Sequence, residues 1–333
     1  MRLLIHENVN ERNRAAFDAL KGQLELVLMG DDGRLRSNGT EVSIGEAQPE
    51  VVFASADVFF TPVAQPFMFA SLKSRTLKWV QSGSAGLDNP VFKQIVQSGA
   101  RLTASHGQAV GMGDYVLWAV LDVLQDGPGR RSSQAVRTWQ RRQSREIAGT
   151  RWLVLGFGAV GQGVGRRARA FGAHVTGVRR NLTSDVNADA IVALSDIWRL
   201  LPDTDVVVLA IPATPQTLRL ADETFFSTMK RGSVFVNVGR GALVDESSML
   251  AALDRGIPEH AVLDVFDTEP LPADNVLWTH PRVTVTAHCS GLSRGNPGRN
   301  DAAFFDNLNR YLAGEALHDQ ADPKEFLAER AKG

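Results

Sequence analysis

A strand, a glycine loop and a helix follow one another without a break at residues 151–171, and few folds accept that order. Trp152, Leu153, Val154 and Leu155 form a short apolar run of strand character, and Gly156-Phe157-Gly158-Ala159-Val160-Gly161 follows at once. Beyond it Val160, Val164, Ala168 and Phe171 recur at helical spacing, with Arg166, Arg167 and Arg169 off that face. G-x-G-x-x-G placed after a strand and at the opening of a helix is the fingerprint of a dinucleotide-binding unit. Gly156 permits the tight turn, Gly158 lets a pyrophosphate approach the backbone, and Gly161 lets helix and strand pack closely. Ala159 and Val160, in the opening turn, lend unpaired N–H groups and a positive dipole end to the phosphates.

The remaining apolar runs fall into the same rhythm. Strands are expected at 174–178, 206–211, 233–238, 261–265 and 283–286, with helical patterns at 159–171, 195–201, 221–230 and 245–255. Residues 1–104 alternate likewise, with strands at 3–5, 24–28, 51–54, 77–80 and 101–103 and helices such as 11–20 and 89–98. Their first strand meets Glu7-Asn8-Val9-Asn10 instead of a glycine loop. The expected fold is α/β, with two doubly wound parallel-sheet domains: a Rossmann cofactor domain at 105–291 and a flavodoxin-like domain from 1–104 plus 292–333. Residues 115–124 predict a strongly apolar helix capped by Asp114, in need of a covering surface such as a second subunit. Residues 291–299, rich in Gly, read as a linker. The helix at 301–312, with Phe304, Phe305, Leu308 and Leu312, is expected to lie on the first domain. Gly163 and Gly165 stand inside the first helix of the cofactor domain with no evident reason.

Charge and cysteine content narrow the partners. The net charge of −1 over 333 residues leaves no global field for nucleic acid or a membrane. The arginines at 130, 131, 137, 141, 142 and 145 read as a solvated helical face closed by Glu146. The single Cys289 rules out an internal disulfide and fits a reducing, cytoplasmic setting. The apolar run at 206–211 is far shorter than the ~18 residues of a spanning helix, and the N-terminus reads as a strand, not a signal peptide. No metal is expected.

Three polar residues stand at strand ends of the cofactor domain: Arg240 in Asn237-Val238-Gly239-Arg240-Gly241, Glu269 in Asp264-Val265-Phe266-Asp267-Thr268-Glu269-Pro270, and His288 before Cys289-Ser290-Gly291. Ligands of open α/β sheets bind beyond those ends. Reduction of a 2-keto acid needs a cation for the carboxylate, a proton for the carbonyl oxygen and a hydride. Arg240 suits the first, and it would also polarise the carbonyl. His288 suits the second, with Glu269 orienting its imidazole. A nicotinamide supplies the third. Where the second strand ends, the chain reads Val178-Arg179-Arg180-Asn181, with no acid to accept a ribose hydroxyl. Two guanidiniums there suit a 2′-phosphate, which favours NADP(H) while leaving NAD(H) possible.

Taken together, the glycine loop, Asn237–Gly241, Asp264–Pro270 and the Ala287-His288-Cys289-Ser290-Gly291 strand end strongly resemble the D-isomer-specific 2-hydroxyacid dehydrogenases. The resemblance spans nearly the whole chain. It implies Arg240 as the substrate-binding catalytic residue, His288 as acid/base and Glu269 as its partner. It also implies a carboxylate nest at Ser82-Gly83-Ser84 in a substrate-binding first domain, and a nicotinamide-side contact at Asp264. Ile211, Pro212, Val238, Gly239, His288 and Gly291 are expected along the cofactor. The arginines at 179 and 180 resemble the NADPH-preferring glyoxylate/hydroxypyruvate reductase-like branch, and members are usually homodimers built through the cofactor domain. Ala287 departs from the Pro that many members carry, and residues 293–299 are unusually rich in Gly and Arg. Glu269 speaks against a formate dehydrogenase-like relative, which would pair the His with Gln. A dinucleotide-sensing binding protein of the same fold is the alternative from another class.

Overall fold

The computed structural model describes residues 1–59 and 61–327. The chain separates into two compact units, residues 1–108 with those from 294 on, and residues 109–293. In the first, β1 (Arg2–His6), β2 (Glu25–Met29), β3 (Leu35–Ser37), β4 (Thr40–Val42), β5 (Val51–Ala54), β6 (Trp79–Ser82) and β7 (Arg101–Thr103) form one sheet in the order β4-β3-β2-β1-β5-β6-β7. Pairings from β2 through β7 are parallel, whereas β2-β3 and β3-β4 are antiparallel. That edge hairpin is absent from the sequence reading, because its strands are short and polar. Its turn did carry a signal: Asn38 and Gly39 take φ of 49° and 79°, the left-handed pair of a two-residue hairpin.

Helices α1 (Glu7–Arg12), α2 (Arg14–Ala19), α3 (Ile44–Ala47), α4 (Ala64–Lys73) and α5 (Pro90–Gln97) belong to this unit. The helix expected at 11–20 starts earlier, because His6 caps Asn8, and it breaks at Asn13. All four residues of β5 and of β6 are buried. One face of the sheet packs Leu4, Val52, Ala54 and Val80 against Phe67, Phe92 and Ile95.

In the second unit, β8 (Arg151–Leu155), β9 (His174–Val178), β10 (Ala190–Val192), β11 (Val206–Leu209), β12 (Val234–Asn237), β13 (His260–Leu263) and β14 (Val283–Val285) are all parallel, in the order β10-β9-β8-β11-β12-β13-β14. The seventh strand, β10, is a half-exposed edge of three residues, too short to show in the sequence. The order reverses between β8 and β11, so the crevice beyond their carboxyl ends is the switch point where such sheets take ligands.

The helices of this unit are α6 (Ala109–Leu124), α7 (Gly127–Ala135), α8 (Ala159–Ala170), α9 (Ile197–Leu200), α10 (Glu223–Thr228) and α11 (Glu246–Asp254). Helix α6 begins before Asp114, so Asp114 is not its cap. It lies inside the helix and accepts from Arg167 Nε at 2.6 Å. Gly113, inside α6, is a crossing point. A Cβ on it would meet Gly163 O at 2.9 Å, and one on Gly163 would meet Ala109 O at 2.8 Å. A Cβ on Gly165 would lie 2.5 Å from Asn187 O and 2.8 Å from the Phe157 ring. Backbone contact with α6 and with the 187 loop therefore explains both glycines of α8. Phe171 follows α8 as its C-cap and is 49% exposed, off the buried face assigned to it. The basic segment is also less helical than expected. Helix α7 ends at Ala135, and residues 138–146 have no regular structure. Arg131, Arg142 and Arg145 pair there with Asp122, Asp126 and Glu259.

Helix α12 (Asn296–Ala313) returns to the first unit. It starts inside the stretch expected to be a linker, since Pro297 is tolerated in a first turn where N–H groups lack partners. Phe304 stacks on Phe53 and Trp79 with ring centroids 4.4 and 5.7 Å apart, and Leu308 joins the same cluster.

Candidate active site

The glycine loop leaves β8 with Gly156 at φ +93°, a conformation closed to most side chains. A Cβ there would also lie 2.4 Å from Ala210 O, which presses the loop against the end of β11. Gly161, inside α8, comes so near Gly156 O that a Cβ would stand at 2.2 Å. Gly158, the N-cap of α8, differs from both: nothing lies within 4 Å of its Cβ position. Ala159 and Val160 follow it in the first turn, where N–H groups have no carbonyl of their own helix to meet. The arrangement suits a pyrophosphate drawn onto the open face at Gly158.

Arg179 and Arg180 lie directly beyond β9. The Arg179 guanidinium is held by its own loop. Nε donates to Asn181 O at 2.8 Å, Nη1 pairs with Asp185 Oδ2 at 3.2 Å, and Nη2 donates to Thr183 O. Asp185 in turn accepts from the backbone and side-chain amides of Asn187. Sequence reasoning missed Asp185, whose part in this loop no local pattern announces. Arg180 is exposed.

Beyond β11 run Ile211 and Pro212. Gly239, past the end of β12, approaches them so closely that a Cβ would meet Ile211 O at 2.8 Å. Val238 is buried. Asn237 ties the loop: its Oδ1 accepts from Gly239 N at 3.0 Å, and its Nδ2 donates to Arg240 O at 2.9 Å. Arg240 Nη1 donates to Gly239 O at 2.7 Å. Gly241 lies against the backbone of Phe266, leaving no room for a side chain. The loops after β12 and β13 are thereby brought together.

Glu269 links the next loop to the last. Its Oε1 accepts from Phe266 N at 2.9 Å, and its Oε2 lies 2.8 Å from His288 Nδ1. Both side chains are about one-third exposed, at 35% and 36%. His288 adopts φ +51°, uncommon for a residue with a side chain, and its N–H donates to Asp264 O at 2.8 Å. Asp264, expected beside a nicotinamide, is 1% exposed and turned to the protein. Oδ1 accepts from Thr286 Oγ1 at 2.6 Å and Cys289 N at 2.9 Å, and Oδ2 accepts from Ser290 N at 3.0 Å. Gly291 follows that turn directly.

Ser82, Gly83 and Ser84 belong to the first unit, at the carboxyl end of β6. Gly83 is packed tightly, with a Cβ position 3.0 Å from Ala56 N, and Asn300 Nδ2 donates to its carbonyl at 3.0 Å. Its N–H donates to Ala54 O, that of Ser84 to Ser82 Oγ, and that of Gly86 to Ser84 Oγ. An incoming carboxylate would therefore have to replace the serine hydroxyls as acceptor. Among the described residues, no group of His, Cys, Asp and Glu could hold a metal ion, and no helix is long and apolar enough to cross a membrane.

Residues 117–290 match the sequence profile of the D-isomer specific 2-hydroxyacid dehydrogenase NAD binding domain. D-3-phosphoglycerate dehydrogenase of Methanocaldococcus jannaschii is 30% identical over 247 residues, 73% of this chain and 47% of that protein. Glyoxylate/hydroxypyruvate reductase A of Salmonella paratyphi B is 31% identical over 173 residues, 51% of this chain and 54% of its own. The chain thus spans about half the length of these curated relatives. The crystal structure of a D-isomer specific 2-hydroxyacid dehydrogenase from Xanthobacter autotrophicus Py2, in complex with NADPH and MES, is similar with a TM-score of 0.77 at 26% identity, covering 98% of each chain. With two α/β units of this topology and more than half its length inside the profile, the chain belongs to the D-isomer specific 2-hydroxyacid dehydrogenase family.

Proposed function

We propose that the protein reduces small 2-keto acids to D-2-hydroxy acids with NADPH in preference to NADH. The observation that carries this is the His288–Glu269 pair, 2.8 Å apart beyond the strand ends of a dinucleotide-binding sheet. With Nδ1 engaged by Glu269, Nε2 is the atom that protonates the carbonyl oxygen in reduction and takes the proton back in oxidation. The Glu269 carboxylate, 2.8 Å from Nδ1, orients the imidazole for that transfer. Arg240 binds the substrate carboxylate and polarises its carbonyl. The nicotinamide supplies the hydride. Gly156, Gly158, Ala159, Val160 and Gly161 take the pyrophosphate, while Ile211, Pro212, Val238, Gly239 and Gly291 lie along the rest of the cofactor, with Asp264 behind them holding the His288 turn. Residues 105–291 form the dinucleotide-binding domain. Residues 1–104 with 292–333 form the substrate-binding domain, whose Ser82-Gly83-Ser84 loop holds the carboxylate.

NADPH preference rests on two cations beyond β9 with no acid at the strand end, and the NADPH complex of the Xanthobacter structure supports it. Because Asp185 and two carbonyls already occupy Arg179, that residue orders the loop and contributes positive field, and Arg180, exposed beside it, is the second cation offered to a 2′-phosphate. Glyoxylate and hydroxypyruvate are the favoured substrates, on the name of the Salmonella relative. Helix α6 exposes half of Trp118 beside Leu117 and Leu121, a surface suited to homodimer formation in the cytoplasm.

Initial rates with NADPH and with NADH against a panel of 2-keto acids test the reading. Turnover should be at least tenfold faster with NADPH at low cofactor, and Arg179→Asp should narrow that ratio. Tight NADPH binding with no turnover on any keto acid would replace the enzyme with a dinucleotide sensor.

A further inference from the structure

We propose that Tyr115 and Thr286 are positioning residues for the reaction: a two-hydroxyl relay from helix α6 fixes Asp264, and Asp264 fixes the turn that presents His288. The inference rests on the acid/base reading of His288. The Tyr115 hydroxyl lies 2.7 Å from Thr286 Oγ1, and Thr286 Oγ1 lies 2.6 Å from Asp264 Oδ1. An ionised carboxylate only accepts, so Thr286 spends its single proton on Asp264. Thr286 must then accept from Tyr115, which fixes the direction of the chain. Burial pushes the Tyr115 phenol up, and the charge of Asp264 adds to it, so Tyr115 stays a donor.

Asp264 is the hinge of this arrangement. It receives three successive backbone N–H groups: His288 on its carbonyl, Cys289 on Oδ1 and Ser290 on Oδ2. Those bonds hold His288 at φ +51°, a left-handed conformation that costs a residue with a side chain free energy unless its surroundings impose it. At 1% exposure, Asp264 has almost no water to replace a lost donor. If the Thr286 hydroxyl is removed, the carboxylate must turn, and the His288 turn loses its anchor. Nothing in the sequence near Tyr115 or Thr286 marks them, since each acts on a residue far from it along the chain.

The test compares Tyr115→Phe, Thr286→Val and Thr286→Ser with wild type. Rates are read with NADPH and glyoxylate or hydroxypyruvate across pH, and the His288 imidazole is titrated by NMR, with His288→Asn assigning its signal. Thr286→Val should lower kcat by roughly 10- to 100-fold and Tyr115→Phe by roughly 3- to 10-fold, as expected for an unsatisfied buried polar group. KM for NADPH should move by less than about threefold, because the lost interaction acts on the proton-transfer group. Thr286→Ser, which keeps the hydroxyl, should recover most of kcat. Because the His288 turn loses its anchor, the pH profile of kcat and the His288 titration should change in Thr286→Val and return toward wild type in Thr286→Ser. Wild-type kcat and an unmoved His288 titration in Thr286→Val would overturn the relay. Failure of Thr286→Ser to recover what Thr286→Val loses would also overturn it. If wild type turns over neither keto acid, the enzymatic reading fails, and the NMR titration alone then decides the relay.

Discussion

Each sheet reverses its strand order once, and the two crevices so formed differ. In the first unit the order reverses between β1 and β5, and in the second between β8 and β11. Beyond β1 and β5 the crevice is filled by protein. Arg12 forks onto Asp57 at 2.8 Å through each Nη and reaches Asp301 at 3.0 and 3.2 Å, while Ser55 also donates to Asp57. Beyond β8 and β11 the corresponding place is the outward face of Gly158, where nothing lies within 4 Å. The strand-order reversal thus carries a self-satisfied ion network in one sheet and an open glycine turn in the other. The choice is made by the residues after the first strand, His6-Glu7-Asn8-Val9 against Gly156-Phe157-Gly158-Ala159.

Breaking the filled crevice should cost the most. Arg12→Ala leaves Asp57, and Asp301 at 3% exposure, without their shared cation. Removing one partner of a fully buried ion pair costs about 3–5 kcal/mol, and the one-third exposure of Arg12 puts its loss at the low end. The urea midpoint should fall accordingly, and hydrogen exchange should speed up in residues 1–108 first. A midpoint within experimental error of wild type would mean that the network is ornamental and the crevice is not held shut by it.

Acid should separate the units next. Burial pushes the His260 imidazole down to about 4, against ~6.5 for an unperturbed imidazole. A depressed histidine contributes its full stability above pH 6.5 and loses it as pH falls toward 4, on the order of 3 kcal/mol in all. Asp57 behaves differently. Burial pushes it up, but hydrogen bonds from Arg12 and Ser55 outweigh that and hold it below the usual carboxylate range. Its contribution persists down to the ordinary carboxylate value and is lost only as pH falls through the lower folded value. Between pH 6.5 and 4 the second unit should therefore weaken while the Arg12–Asp57 contribution of the first is retained. Hydrogen exchange at pH 7 and pH 5 should show protection falling in β12 to β14 ahead of β1 and β5. Equal loss in both would refute the separation, and His260→Gln should remove most of the pH 5 effect.

The sequence disclosed the two units through different signals. Strands such as β5 and β11 were legible because they are apolar along their length, and the catalytic candidates because loops at strand ends carry polar residues where apolar ones would pack. Glycines were read correctly at 156, for a tight turn, and at 161, for close packing, where a strand and a helix frame them. Those at 163 and 165 were placed in the right helix but left unexplained, because what packs on them, α6 and the 187 loop, lies elsewhere in the chain. The start of α12 was hidden for the opposite reason: Gly295, Pro297 and Gly298 look like a linker, yet only Pro297 falls where a first turn tolerates it. Tyr115 and Thr286 were invisible because one hydroxyl on an apolar helix and another at a strand end acquire meaning only when the fold joins them.

The smallest expected change tests the open crevice itself. Gly158 has φ −85° and ψ −157°, outside the left-handed region, and its Cβ would point into empty space. Gly158→Ala should therefore leave the urea midpoint within about 1 kcal/mol of wild type, the cost of a poorer N-cap. The same methyl would occupy the surface that a pyrophosphate needs, so NADPH affinity should fall by roughly tenfold or more, about 1.4 kcal/mol. Gly161→Ala provides the contrast, since its methyl would lie 2.2 Å from Gly156 O and must displace the loop, lowering stability and affinity together. If Gly158→Ala binds NADPH as wild type does, the phosphate does not lie on that face. The two sheets would then differ in how they pack, and not in which of them is open to a ligand.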